Sequence, residues 1–166
     1  MGLVTVTISP RGLWLEFRRF LLYDEAASGD SMTNDLKVFT VEEANQLLPA
    51  LIQLLTELKK KRDEASDLEV QIDALELIAS SGTSSSVKEL NHLLEEHQKI
   101  VGEFYSIVNE IHSYRCFLKD VDLGLIDFCG VIDGRMVYLC WRLGEERVSF
   151  WHEVEQGYSN RKPLAG

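Results

Sequence analysis

Cysteine, basic charge and long apolar runs are all in short supply in this sequence, and each shortage removes a class of protein. The cysteines are three, Cys116, Cys129 and Cys140, an odd number without CxxC spacing. That argues against a disulfide framework and against a structural zinc site, so reduced thiols and a cytoplasmic location are expected. Lys and Arg number 17 against 27 Asp and Glu, a formal charge of -10. Most of the surface therefore opposes phosphate backbones and anionic lipid. The best basic run, Lys59-Lys60-Lys61-Arg62, fans around a helix axis as a band and makes no basic face, so no nucleic-acid partner is expected. No apolar run approaches the roughly 18 residues of a membrane span. A secretory signal is not expected either, because Met1 to Pro10 has no basic start and Arg18 and Arg19 interrupt the next apolar stretch. Val6 stands where a myristoylation signal needs Ser or Thr. GxSxG, P-loop and Rossmann glycine patterns are missing too, which removes the common hydrolase, nucleotide and dinucleotide classes, and no cofactor is expected.

What is there is an ordinary globular composition, 45% hydrophobic and 27% charged over 166 residues. That is enough for one domain with a sizeable core, with or without an appendage. The chain divides into three zones. Residues 1–31 hold a strand-like VTVTI, a Pro-Arg-Gly break, an amphipathic LWLEFRRFLLY and a loose DEAASGDS linker. Met32 opens a segment that would itself make a natural start, so residues 1–31 read as an extension and 32–166 as the domain.

Residues 39–119 carry a helical pattern. Thr40 followed by Glu43 is a capping box, in which each side chain accepts from the other's backbone N–H. Beyond it a stripe runs Ala44, Leu47, Leu51, Leu54, Leu58, Lys61, Ala65, Leu68, Ile72, Leu75, Ala79, in steps of three and four. SSGTSSS around Gly82 breaks the helix. The spacing then resumes with Val87, Leu90, Leu94, His97, Val101, Phe104, Val108, Ile111, Arg115 and Leu118. Folding about Gly82 predicts an antiparallel, coiled-coil-like hairpin with His97 level with Leu68 and Lys61 level with Phe104. A second apolar row at the base, Leu48, Ile52 and Leu55 with Ile100, Ile107 and Tyr114, exceeds what two helices need and calls for a covering layer. Pro49 predicts a kink there.

The covering layer is expected to be a three-stranded antiparallel meander over residues 122–153, followed by a tail over 154–166. Asp133-Gly134 signals a two-residue hairpin turn. Pairing Ile132 with Arg135 sets Asp127 opposite Cys140 and Cys129 opposite Tyr138, and sends Ile126, Phe128, Val137, Leu139 and Trp141 to the core face. A turn at Leu143–Glu146 that pairs Arg142 with Arg147 would then put Val148, Phe150 and His152 on the core side. Ser149 and Trp151 would join Asp127, Tyr138, Cys140 and Arg142 on the outer face, with Tyr138 beside Trp151.

That outer face is neither plainly solvated nor plainly core. Asp127, Tyr138, Cys140, Arg142, Trp151, His152, Glu153 and Arg161 are the candidate binding residues. A metal could use His152 with Glu153, Glu155 or Asp127, but no second histidine is near, and no metal is expected. A Cys140 nucleophile with a His152 base needs both on one face, which this register denies. The arginines Arg142, Arg147 and Arg161 would clamp an acidic group or satisfy Glu145, Glu146 and Glu153.

FTVEEANQLLPAL (Phe39 to Leu51), GLIDF (Gly124 to Phe128), YLCWRLGE (Tyr138 to Glu145) and FWHEVEQGYSNRKP (Phe150 to Pro163) together resemble the bacterial domain-of-unknown-function family DUF2203. The resemblance spans Phe39 to Pro163. It implies a compact helical hairpin with a small C-terminal β element and brings no activity with it. The expectation is thus an α+β domain acting by recognition, a protein-binding or scaffold module that self-associates through its hairpin and has an unknown protein or small-molecule partner. A small metal-dependent enzyme or ligand sensor with a site on the β element is the alternative.

Overall fold

A computed structural model of the chain describes residues 36–79 and 84–164; the expected extension at 1–31 lies outside them. The capping box forms: Thr40 N–H donates to Glu43 Oε2 at 2.9 Å, and Glu43 N–H donates to Thr40 Oγ1 at 3.1 Å. Helix α1 (Val41–Ala79) starts there and is continuous through Pro49. Helix α2 (Ser84–Ser113) packs against it. Lys61 Nζ meets Glu103 Oε2 at 2.8 Å, and Glu69 Oε1 meets His97 Nε2 at 3.3 Å. Partners that advance on one helix retreat on the other, so the pair is antiparallel, within one residue of the expected alignment. Both polar breaks in the seam meet carboxylates. Part of the basic band is engaged as well: Lys59 donates to the Asp122 backbone carbonyl, and Arg62 pairs with Asp63 and Asp122.

The buried stripe is Ala44, Leu48, Leu51, Leu55, Leu58, Ala65, Leu68 and Ile72 on α1, facing Val101, Phe104, Ile107, Val108 and Ile111 on α2. Leu48 and Leu55 are buried and Leu47 and Leu54 half-buried, because the base faces a sheet as well as a helix.

Helix α2 ends six residues before the expected limit of Lys119. Arg115 takes a positive φ of 62°, which stops the helix, and the chain leaves as strand β1 (Phe117–Asp120). Then follow β2 (Leu125–Ile132), β3 (Arg135–Arg142), β4 (Phe150–Glu153) and, after a short 3-10 turn at Tyr158–Asn160, β5 (Lys162–Pro163). The sheet has five antiparallel strands in the order β1-β2-β3-β4-β5, not the expected three. Both additions sit at the edges and are four residues and two residues long, too short for alternation to register as a pattern.

The Asp133-Gly134 turn pairs Ile132 with Arg135, and β2 and β3 keep the expected register throughout. Ile126, Phe128, Val137, Leu139 and Trp141 are all 2% exposed or less and join the helix base in one core. Phe39 N–H donates to the Cys129 carbonyl at 2.8 Å, tying the start of α1 to β2.

The β3–β4 register departs from expectation by one residue. Cys140 pairs with Phe150, Leu139 with Trp151, Tyr138 with His152 and Val137 with Glu153. The connection is a seven-residue loop, 143–149, held by its own bonds. Arg142 N–H donates to Glu145 Oε2 at 2.8 Å, and Trp141 Nε1–H donates to the Glu145 carbonyl at 3.0 Å. Val148 N–H donates to Asn45 Oδ1 on α1 at 2.8 Å. A one-residue slip moves every side chain of a strand to the other face. Phe150 and His152 therefore lie on the outer face, while Trp151 packs against the core and Glu153 lies on Trp151's side of the strand.

Candidate functional site

The slip assembles on the outer face a group that the expected register kept apart. Asp127 from β2, Cys140 from β3 and His152 from β4 are 1%, 0% and 2% exposed. One ligand atom from each lies within 4.8 Å of those of the other two. β-Strand periodicity explains this directly: Asp127 is cross-strand neighbour to Cys140, and His152 is neighbour to Tyr138 one pleat along the same face.

His152 is fixed at both ring nitrogens. Nε2 lies 3.2 Å from Asp127 Oδ2, and Nδ1 lies 2.9 Å from the backbone carbonyl of Glu153. Neither partner can donate, so both contacts are satisfied only when both nitrogens carry a proton. Burial opposes that charge, but the Asp127 hydrogen bond, the Glu153 carbonyl and the Asp127 charge outweigh it, and the pKa of His152 is raised. The second oxygen of Asp127, Oδ1, is buried with no hydrogen-bond partner. An unpaired buried carboxylate oxygen is costly.

Cys140 is held as a thiol. Burial first, then the adjacent Asp127 carboxylate, push its pKa up strongly, and Arg161 offsets only part of this. With both nitrogens of His152 engaged elsewhere, the Cys140–His152 arrangement has no base and no thiolate.

Around this centre stands a cationic and aromatic rim. Arg161 pairs with Glu145 Oε1 at 2.9 Å and stacks over Tyr158 and Phe150, at 4.0 and 4.5 Å from their centroids. Arg142 donates to the Tyr158 hydroxyl at 2.9 Å. The Tyr138 ring lies 5.6 Å from both Phe117 and His152, with the Lys119 ammonium 5.3 Å from its centroid.

Of the residues singled out from sequence, Asp127, Tyr138, Cys140, Arg142, His152 and Arg161 share this face. Trp151 and Glu153 do not. Trp151 stands beside Leu139 and not beside Tyr138. Glu153 contributes only its backbone carbonyl, while its carboxylate pairs with Lys162 at 3.4 Å. Arg147 is exposed, and of the proposed arginine pairings only Arg161 with Glu145 forms. Two contributors went unread, Phe117, on a strand read as helix, and Tyr158, and a third, Phe150, was assigned to the core side. The signal for Phe150 was available, because FWHE alternates and a wider loop than four residues would have turned it outward.

No described helix is long and apolar enough to cross a membrane. No curated protein and no solved structure is similar enough to this chain to match it. The quoted motifs and the fold they build agree with a family model that matches residues 37–164: the chain belongs to the uncharacterized conserved protein family DUF2203.

Proposed function

We propose that the protein is a ligand-binding module whose ligand engages the Asp127–Cys140–His152 centre, and that it works by recognition and not by turnover. The observation that carries this reading is the convergence of three buried polar side chains from three strands, one of them with an unsatisfied carboxylate oxygen. A fold gains no stability from burying such a group, whereas ligand sites are often built at that expense. The thiol state of Cys140 and the double engagement of His152 argue against nucleophilic catalysis. Three free, buried cysteines suit a reducing compartment such as the cytoplasm.

Native mass spectrometry of protein purified without chelator tests the reading. A stoichiometric bound species that is lost in His152→Gln is the expected result. A clean apo mass for the wild type, unchanged by added metal or by small-molecule extract, sinks it.

The hairpin supports a second role, self-association with another copy through a coiled-coil-like continuation of its distal half. Val70 and Val87 remain 69% and 48% exposed there, whereas the base residues, such as Phe104, are used within the chain. Val70→Glu is then expected to shift the sedimenting species to monomer without loss of helix, and an unchanged profile would rule the role out.

A further inference from the structure

We infer that Asp127, Cys140 and His152 form a binding site for a single thiophilic divalent transition-metal ion of the Zn2+ or Co2+ type. This rests on the binding reading above and names its ligand. The donor set decides the class. A thiolate sulfur, an imidazole nitrogen and a carboxylate oxygen suit zinc and its neighbours, and disfavour Mg2+ and Ca2+, which take oxygen ligands. Bond lengths of roughly 2.0–2.3 Å place neighbouring ligand atoms about 3.3–3.7 Å apart around a tetrahedral ion. The Nε2–Oδ2 separation of 3.2 Å is close to that, and no separation among the three donors exceeds 4.8 Å.

Two further features point to a cation. Asp127 Oδ1 is a buried acceptor without a donor, and a metal would satisfy it. His152 Nδ1 is anchored on the Glu153 carbonyl at 2.9 Å, the outer contact that orients metal-bound histidines and leaves Nε2 to the ion.

Charge balance favours the same class of ion. With metal, the ion binds Nε2, Sγ and the carboxylate; one proton leaves Nε2 and one leaves Sγ, and the two negative ligands cancel the divalent charge. The bound form is neutral, as a buried site requires. The nearby cation Arg161 is itself neutralised by Glu145 at 2.9 Å; Lys119 is the other cation acting on His152. Three protein ligands leave a fourth position for water or a partner group.

The test is titration of the full chain, stripped of metal by chelator, with Co2+ and then Zn2+. One equivalent of Co2+ is expected to bring up a thiolate-to-cobalt charge-transfer band, which Zn2+ then bleaches. Cys140→Ser is expected to remove the band. Asp127→Asn is expected to weaken binding roughly 10- to 100-fold, and Cys116→Ser to change nothing. Failure of folded wild-type protein to take up either ion overturns the inference without recourse to any variant. So does a band that survives Cys140→Ser, which would put the metal on Cys129 or Cys116. If Co2+ is refused while native mass spectra carry an organic ligand lost in His152→Gln, the metal falls and the binding reading stands. If neither ion nor organic ligand binds, both fall.

Discussion

Asp127 is the residue on which stability and binding pull in opposite directions. One of its oxygens holds a buried histidine and the other holds nothing. An asparagine there keeps an acceptor for His152 but lacks the charge that supports its doubly protonated ring. Asp127→Asn is therefore expected to cost about 1–3 kcal/mol, because the buried imidazole keeps its hydrogen bond and loses its charge partner. Asp127→Ala strands the imidazole in the interior and is expected to cost roughly 3–5 kcal/mol, as loss of one member of a buried charge pair does. Denaturant melts of the two variants check this, and equal losses would show that the carboxylate is a structural group only. Another buried thiol, Cys116, illustrates the contrast. Its pKa is pushed up to about 12 by burial, partly offset by a backbone hydrogen bond, and it donates to the Ile111 carbonyl at 3.4 Å with no polar side chain involved.

Among the elements, the β3–β4 loop matters most, since it sets which face β4 presents. Asn45 lies four residues before Pro49, in the turn where the proline ring removes a helical donor. Its side chain reaches across to the Val148 N–H at 2.8 Å. Without that acceptor the backbone donor of the buried Val148 loses its partner. Asn45→Ala is expected to lower stability by about 1–3 kcal/mol, read as a drop in Tm. A melt within 1 °C of wild type would show that Trp141 and Glu145 hold the loop alone. Gly124 has the matching role at the β1–β2 corner. Its φ is +62°, and a Cβ there would stand 2.6 Å from Leu143 Cβ, so only glycine lets the loops flanking β2 and β3 close on each other.

In the whole molecule the long hairpin and the sheet share one core at the base, while the distal half of the hairpin is held by its seam. That seam contains His97, 7% exposed, against Glu69. Burial raises the pKa of Glu69, an effect that its bond to His97 offsets in part and that Asp73 reinforces. A carboxyl whose folded pKa lies above its unfolded value destabilises the fold when ionised. Stability therefore falls as pH rises from the unfolded value of 4.5 through the folded pKa. Glu69→Gln keeps an acceptor for His97 without the charge. It is expected to raise Tm at pH 7 by no more than a few degrees and to lose that advantage near pH 4. Melts at the two pH values decide it, and destabilisation at pH 7 would mean that the ion pair with His97 outweighs the burial cost.

Local signals determined a great deal here. The Thr40–Glu43 box, the steps of three and four, and the Asp133-Gly134 turn are short-range rules, and each produced the predicted element, the capped start of α1, the antiparallel hairpin and the β2–β3 register. Family membership was also legible, in FWHE and LCW. What local pattern could not decide was the exit of α2 at Arg115, the edge strands β1 and β5, and above all the β3–β4 register. The last of these involves bonds between residues far apart in sequence, Asn45 to Val148 and Gly124 to Leu143, which accompany a loop of seven residues where four would do. Because side chains alternate strictly along a strand, that one tertiary decision moved His152 from the core side to the outer face, beside Asp127 and near Cys140, and so created the candidate site.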